Sequence, residues 1–380
     1  MIALMRYPSI SPDGPDEVRP RLGSVDIVRG AVMVVMILDH VRDFLPIARV
    51  SPTDLATTTP ALFFTRWVTH FCAPTFVLLA GVGASLAGSR GMSRGELARF
   101  LLTRGLWLIV LEETWINLLV FFPPTTLVAT ILWAIGWSMI ALAGLIYLPR
   151  VAVAAVGVVM IAGHNLLDGF DVPGDGLGAV LWRVLHGRGL VTLPGGIPLL
   201  IAYPLVPWIG VMAAGYSLGP MLLLPHERRR PILLGLGLGL TAAFVALRFL
   251  NVYGDPTPWS VQPSPTFTVL SFLNCLKYPP SLLFLLMTLG PAIAALGLLD
   301  RGAGRWAEPL RMFGRVPLFF FLLQWPLVRG LPLAVTAAGF GEGLPVVYVT
   351  WLVVLALMYL PCRWFAGVKR RHRWAWLSYL

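Results

Sequence analysis

Long apolar runs separated by short polar breaks dominate the pattern of this chain. The apolar windows are about 20 residues long, which is the length that a helix needs to cross the hydrocarbon core of a bilayer. The pattern therefore predicts about ten membrane-spanning helices. They are expected near residues 25–46, 61–87, 98–121, 125–147, 151–168, 197–221, 231–250, 269–298, 314–337 and 344–362.

The breaks between these windows are too short to hold a soluble domain. The largest break, 165–196, is rich in turn residues and is expected to carry a short amphipathic or re-entrant piece from 177 to 187. The predicted fold class is therefore all-α, a polytopic helical bundle formed by a single domain over residues 21–362. An N-terminal segment (1–20) precedes it and a basic tail (363–380) follows it.

Composition supports a membrane protein and removes other classes. Mean hydropathy is +0.78, and charged residues make up 12% of the chain, against about 25% in soluble proteins. Arginines that flank a bilayer explain the net charge of +11, so the expected partner is the lipid bilayer and not a nucleic acid. The three cysteines have no spacing typical of metal ligands or of disulfides. Residues 1–20 lack the apolar segment of a cleavable signal, so the first helix is expected to be retained.

The distribution of Lys and Arg predicts an orientation. Nineteen of the 29 such residues fall in alternate breaks, whereas the intervening loops hold only Arg49, Arg183 and Arg188. The positive-inside rule then places both termini in the cytoplasm and requires an even number of spans.

The first predicted helix carries charges at both ends. Asp26 and Arg29 lie near its cytoplasmic end, whereas Asp39, His40 and Asp43 lie near its outer end. Arg29 and His40 are eleven residues apart, which places them within roughly 20° of one helix face and about 16 Å apart along the axis. A simple membrane anchor does not need charge at both ends, so this helix is a candidate functional element.

Most other polar groups of the membrane segments fall in the outer half of the predicted spans. Such groups are costly in lipid, and their collection in one leaflet predicts a polar chamber there. They are Arg66, His70, Glu112, Glu113, Asn117, His164, Asn165, Arg248, Asn251, Asn274, Lys277, Gln324 and Arg329.

The segment RLGSVDIVRGAVMVVMILDH (21–40) resembles the start of the catalytic membrane domain of the heparan-α-glucosaminide N-acetyltransferase-like family. Residues 66–86, 203–219, 277–291 and 313–327 are also similar to the bacterial branch of that family. The resemblance implies transfer of an acyl group, an acetyl group in this family, from cytoplasmic acyl-CoA (acetyl-CoA). The acceptor would be a hydroxyl or amine of a glycan-like or other small molecule on the outer side of a bacterial inner membrane, and no metal is expected.

The spacing of Arg29 and His40 also resembles the signature of the distantly related family-3 membrane acyltransferases. By this resemblance His40 takes the place of the motif histidine and Arg29 that of the motif arginine. Animal relatives carry asparagine at the position of His40, and bacterial relatives commonly carry histidine at the position of Gln324.

Acyl transfer needs a base, and His40 is the first candidate. Asp39 and Asp43 are candidates to fix its tautomer, with Asp43 at i+3 the more natural local partner. Glu112 or Glu113 is the expected partner from another helix, although these carboxylates are equally suited to pair with an arginine.

Two further groups of residues are assigned to binding. His70 with Arg66 is expected to orient the acceptor, or His70 serves as the base itself. At the cytoplasmic end, guanidinium groups suit a phosphate-rich donor, although Asp26 and Arg29 would also pair with each other at i, i+3. The donor-binding candidates are Asp26, Arg29 and Arg104, and the substrate-binding candidates are Arg66, Lys277, Tyr278, Gln324 and Asn117.

A second hypothesis is a transporter or channel for a small polar solute, whose charged residues would line a path through the full depth of the membrane. A structural partner in the envelope is a third. The sequence leaves open whether the chain forms a homo-oligomer, and it does not identify the acceptor.

Overall fold

The computed structural model describes residues 22–372 except 46–49, 121–124, 194, 302 and 341–342, together with residues 374 and 377. The predicted N-terminal segment lies outside the described residues, whereas residues 363–372, 374 and 377 of the predicted tail are described.

Helices make up most of the described chain. Those of the first half are α1 (Gly23–Phe44), α2 (Pro60–Trp67), α3 (Cys72–Gly88), α4 (Arg94–Leu111), α5 (Asn117–Val120), α6 (Ile131–Leu145), α7 (Arg150–Gly163) and α8 (Leu177–Leu185). Those of the second half are α9 (Leu205–Leu218), α10 (His226–Leu250), α11 (Pro265–Leu273), α12 (Leu282–Leu298), α13 (Glu308–Gly314), α14 (Pro317–Ala337) and α15 (Leu344–Arg371).

The helical membrane architecture agrees with the predicted fold class. Six helical segments of the described chain are long and apolar enough to cross a bilayer. They are Pro60–Gly88, Arg150–Leu167, Leu205–Leu223, His226–Leu250, Pro317–Ala337 and Leu344–Arg371. α6 and α12 are apolar but shorter, and α1 and α4 carry more charge along their length. Ten spans and cytoplasmic termini remain predictions.

A small sheet interrupts the helical pattern. Strands β1 (Leu127–Ala129), β2 (Gly189–Thr192) and β3 (Pro198–Ile201) form it in the order β1-β3-β2. β1 and β3 are parallel, with Leu127 opposite Leu199, and β2 is antiparallel to β3. The predictions of continuous helices over 125–147 and 197–221 were therefore wrong at their first residues, because short apolar runs do not distinguish strand from helix.

The predicted helix over 269–298 was also wrong in its first part. α11 ends at Leu273 and α12 begins only at Leu282, where Ser281 accepts a hydrogen bond from the Phe284 amide as an N-cap. Two consecutive prolines precede that cap, and proline neither donates a backbone hydrogen bond nor allows the preceding residue a helical conformation. Lys277 and Tyr278 therefore lie in a loop and do not open a helix.

Close backbone contacts join α1 to α13, a helix that the hydrophobic pattern did not predict. A Cβ atom at Gly30 would lie 1.9 Å from the Leu310 carbonyl oxygen, and one at Gly314 would lie 1.9 Å from the Asp26 carbonyl oxygen. Only glycine allows two helices to approach this closely. We call the two ends of the bundle the Asp26 end and the His40 end, after the residues at either end of α1.

Candidate functional site

His40 lies near the last turn of α1 and packs against α14. Its ring stacks on the Trp325 ring, with centroids 4.4 Å apart and an interplanar angle of 27°. Its Nδ1 lies 3.3 Å from Gln324 Oε1. The hydrogen-bond partner of His40 is thus Gln324 and not one of the predicted carboxylates. Asp43, the predicted local partner, instead accepts a 2.6 Å hydrogen bond from Arg42. A residue of α14, 284 positions away in the chain, could not be selected from helix spacing.

Asp39 forms a buried ion-pair centre beside His40. It pairs with Arg66 of α2 through a short hydrogen bond and with Arg42 at 2.8 Å. The side chains of Asp39 and Arg66 are 12% and 15% exposed, so the two charges are largely withdrawn from solvent. Buried charges are found where they compensate one another. The pairing joins α1 to α2 and supplies a fixed negative charge next to the imidazole.

His70 lies in a 3-10 turn, Val68–Phe71, between α2 and α3. The helix predicted over 61–87 is therefore interrupted by a tighter turn at His70. The side chain is 2% exposed, and its ring centroid lies 5.3 Å from that of Phe284. Its Nδ1 has no hydrogen-bond partner among the described residues.

The loop between α11 and α12 brings Lys277 and Tyr278 to the same region. Lys277 Nζ lies 5.2 Å from the centre of the Tyr278 ring, and the Tyr278 hydroxyl lies 3.4 Å from that of Tyr203. Tyr203 comes just before α9 and was not among the predicted site residues. Tyr203 is the first residue of the segment 203–219 that resembles the family, and this resemblance was the one sequence signal that could have identified it.

Electrostatic interactions connect these side chains into one group, which we call the His40 cluster. Its members come from α1, α2, the 3-10 turn, the residues before α9, the α11–α12 loop and α14. They are Asp39, His40, Arg66, His70, Tyr203, Lys277, Tyr278 and Gln324.

Arg248 and Asp255 fix the shape of the loop that carries Lys277. The Arg248 guanidinium is 1% exposed and donates to the carbonyl groups of Thr257, Ser271, Phe272 and Asn274. Asp255 accepts hydrogen bonds from the Leu276 amide at 2.8 Å and from the Ser281 hydroxyl at 2.6 Å. The sequence predicted that Arg248 lies in the polar chamber. Its guanidinium instead binds backbone carbonyl groups and holds the conformation of this loop.

Polar groups at the end of α7 support the same loop from the other side. His164 Nε2 lies 2.9 Å from the Pro280 carbonyl oxygen, and Asn165 Oδ1 accepts from the Leu282 amide at 2.8 Å. Asn165 also donates to Asp168, which lies 3.2 Å from His186 Nε2. Burial lowers the pKa of His186, which follows α8, and the charge of Asp168 opposes this shift.

Glu112 occupies a structural position. It begins a π-helical turn, Glu112–Ile116, and is fully buried. One carboxylate oxygen accepts from the Thr130 hydroxyl at 2.5 Å and the other from the Leu132 amide at 2.9 Å, at the N-terminus of α6. A carboxylate is favourable there because the helix dipole is positive at that end. Its assigned catalytic role remains a prediction, and this geometry favours the structural alternative.

Glu113 and Asn117 line an open groove of about 820 Å³ beside Trp115, Leu118 and Ile197. Asn117 donates to Glu113 at 3.0 Å and accepts from the Val128 amide at 2.9 Å, which joins the π-helical turn to β1. In the described part of the chain, neither residue forms a hydrogen bond with His40. The structure therefore places Glu112, Glu113 and Asn117 in a neighbouring polar group and not in the His40 cluster.

Two of the donor-binding candidates, Asp26 and Arg29, lie at the Asp26 end, whereas Arg104 lies in the middle of α4. Arg29 Nη1 lies 3.6 Å from Asp26 and donates to the Gly314 carbonyl oxygen at 3.1 Å. Asp26 also lies 3.9 Å from Arg315. Arg104 lies over the Phe100 ring at 5.8 Å. The i, i+3 pairing of Asp26 and Arg29 that the sequence left open is thus present.

Across the described ranges, no three His, Cys, Asp or Glu side chains come together in a way that could hold an ion.

Comparison with known sequences assigns the chain to a family. The family described as heparan-alpha-glucosaminide N-acetyltransferase, catalytic, matches residues 21–253, which is more than half of the chain. A search among curated proteins finds no match. The matched range contains Asp39, His40, Arg66, His70 and Tyr203, whereas the α11–α12 loop and α14 lie beyond it. The chain belongs to the heparan-alpha-glucosaminide N-acetyltransferase catalytic family of membrane acetyltransferases.

Proposed function

We propose that this protein transfers an acetyl group from cytoplasmic acetyl-CoA to a hydroxyl or amine acceptor at the opposite membrane surface. The observation that carries the proposal is the convergence at the His40 end. There a histidine, a buried Asp39–Arg66 pair and the polar groups Lys277 and Tyr278 meet from separate elements. Family membership supplies the reaction type.

His40 acts as the general base in this proposal. Its partial exposure gives an acceptor access, and the negative charge of Asp39 favours the imidazolium that forms when the proton is taken. Lys277 and Tyr278 bind the acceptor or the acyl oxygen, and His70 is the second candidate base. A small polyhydroxylated acceptor, such as a glycan end, fits a site that presents a carboxylate, an ammonium and phenolic hydroxyl groups.

The donor enters from the Asp26 end. Arg29, Arg104 and the neighbouring Arg315 provide guanidinium groups, which bind phosphate oxygens bidentately. The positive-inside pattern places this end in the cytoplasm, where acetyl-CoA is available. Met33 and Met36 lie on α1 between the two ends and are buried against neighbouring helices. In this proposal the acyl group passes along that face of α1.

Transport of a small polar solute is the alternative function. The test is the thermal stability of the purified protein with acetyl-CoA, measured beside solute flux in liposomes. We expect acetyl-CoA to raise the melting temperature and dephospho-CoA, which lacks the 3′-phosphate, to raise it less. Flux without any stabilisation by acetyl-CoA would reject the acetyltransferase proposal.

Orientation is tested separately. Single cysteines at Ser93 and at Ser51 would lie on opposite sides of the membrane under the proposed topology. Only the Ser51→Cys variant should react with an impermeant maleimide in intact cells, and labelling of both or of Ser93→Cys alone would contradict the proposed sides.

A further inference from the structure

Buried hydrogen-bond donors without partners lie next to His40. The Gln324 side chain is fully buried, and its Nε2 has no partner among the residues that the structure describes. The indole Nε1 of Trp325, whose ring stacks on His40, also has none in that part of the chain. Buried donors are nearly always satisfied, so two unsatisfied ones beside a candidate base call for an acceptor atom that a water or a bound ligand would supply.

The contact between His40 and Gln324 fixes the proton on the imidazole. An amide oxygen only accepts hydrogen bonds, so with the Gln324 amide placed as it is here, its Oε1 3.3 Å from Nδ1, the proton of the neutral ring is on Nδ1. Nε2 is then the basic nitrogen of the neutral ring. The amide nitrogen and oxygen of Gln324 share one carbon, so the unpaired Nε2 of Gln324 lies beside the same imidazole.

We propose that Gln324 is a catalytic residue with two functions, and this inference rests on the proposed acetyltransferase function. Its Oε1 holds His40 in the tautomer that can accept a proton at Nε2. Its Nε2 donates a hydrogen bond to the carbonyl oxygen of the acetyl thioester, and the Trp325 indole is a second donor to that oxygen.

Acetyl transfer then takes place by addition of the acceptor followed by loss of the thiolate. The acceptor oxygen or nitrogen bonds to the thioester carbon and gives its proton to His40 Nε2, while the carbonyl oxygen becomes an oxyanion that Gln324 stabilises. The carbonyl then re-forms, the carbon–sulfur bond breaks, and the CoA thiolate takes the proton from His40. Negative charge on the oxygen is largest in the intermediate, so a preorganised donor lowers the barrier to reaching it.

Two substitutions separate the functions of the amide. Gln324→Glu retains an oxygen for His40 Nδ1 but removes the donor, and Gln324→Met removes both. Loss of one such donor typically lowers kcat about 100-fold to 1000-fold. We expect Gln324→Glu to lower kcat in this range and to shift the acidic limb of the pH profile upward, because the added carboxylate favours the imidazolium. Gln324→Met should lower kcat without that shift. Gln262→Met, in the loop before α11, is the matched control and should keep both kcat and the pH profile.

A binding experiment tests the carbonyl contact without turnover. Acetonyl-CoA carries a ketone oxygen near the thioester position, and S-propyl-CoA has the same chain length without that oxygen. We expect the wild-type protein to bind acetonyl-CoA about tenfold more tightly, the effect of one buried hydrogen bond. Gln324→Met and Gln324→Glu should show a smaller preference for acetonyl-CoA, because the Trp325 indole then remains as the single donor to the ketone oxygen.

The outcomes distinguish the two proposals. Equal affinity of the wild-type protein for the two analogues overturns the role of Gln324 while leaving the acetyltransferase proposal intact. Failure of CoA, acetonyl-CoA and S-propyl-CoA all to bind overturns the donor assignment and the role of Gln324 with it. The wild-type comparison needs no variant, so it decides the question even if one of the Gln324 variants does not fold.

Discussion

The two ends of α1 carry similar charges in different surroundings. At the Asp26 end, α13 lies against α1 with backbone in contact with backbone, and Arg29 donates to a carbonyl group of that neighbour. At the His40 end, the charges of Asp39 are compensated by Arg66, yet donors on Gln324 and Trp325 lack partners within the described chain. At the Asp26 end these groups have partners within the protein, whereas at the His40 end two buried donors have none among the described residues.

This difference shows that charge in a membrane helix has no single meaning. Both pairs are costly to place in lipid and both are therefore functional candidates from the sequence. Only the neighbouring helices show whether the polar atoms are already satisfied. The following experiments test whether the contrast between the ends is one between structure and catalysis.

The largest effect is expected from His40→Ala. Removal of a general base lowers the rate by about 100-fold to 10,000-fold, and the partly exposed ring leaves folding intact. Acetyl transfer by the purified variant measures this, with His372→Ala, at an exposed position near the tail, as the matched control. Activity that survives in His40→Ala would assign the base to His70.

Arg29→Ala is expected to weaken acetyl-CoA binding about tenfold, because a charge-assisted hydrogen bond to phosphate is lost. The apparent affinity is measured by titration on folded protein, beside Arg150→Ala, which changes an exposed arginine at the start of α7 on the same proposed side. Unchanged affinity in Arg29→Ala would make the Asp26 end purely structural and sharpen the contrast between the two ends.

Gly30→Ala tests the close contact between α1 and α13 at the Asp26 end. The added methyl group would lie 1.9 Å from the Leu310 carbonyl oxygen, so α13 must move, and such overpacking typically costs about 1–3 kcal/mol of unfolding free energy. Gly83→Ala is the control, because a Cβ atom there meets nothing within 4 Å. Thermal melting of both variants measures the difference, and equal melting temperatures would contradict the tight α1–α13 contact.

The smallest effect concerns pH at the periphery of the His40 end. Burial lowers the pKa of His186 below its usual 6.5, so the unfolded chain binds the proton more readily than the folded chain. Stability is then full above about pH 6.5 and decreases as pH falls through the folded pKa. We expect the melting temperature to fall less between pH 7.5 and 5.5 in His186→Gln than in the wild-type protein. Equal slopes in the two proteins would remove His186 from this pH dependence.

The helical class and the family could be predicted from the sequence, because both follow from local pattern. Hydrophobic windows of bilayer length identified the long helices, and residues 21–40 carried the family resemblance. The hydrophobic pattern predicted helix where the structure has strands β1 and β3 and the α11–α12 loop, because an apolar run continues into turn residues at these places. Lys277 was recognised as unusual, but its place in a loop depended on the prolines that follow it and on Arg248, which binds carbonyl groups of the loop.

Site membership could be predicted only in part. His40, Asp39 and Arg66 were selected as polar groups in apolar helices, and the structure brings them together. Glu112 gave the same signal, yet it caps α6 through Thr130 and Leu132. A polar residue in a hydrophobic run shows that a partner must exist, but it does not show which partner.

The sequence by itself determined that this chain is a helical membrane protein of an acetyltransferase family, and it marked the two charged ends of α1. Hydropathy, charge and short motifs are properties of contiguous residues, so no fold is needed to recognise them. The tertiary structure decided that His40 meets Gln324, that Asp39 pairs with Arg66, and that α13 packs closely against α1 at the Asp26 end. These contacts join residues that are far apart in the chain, and their formation depends on how the helices pack.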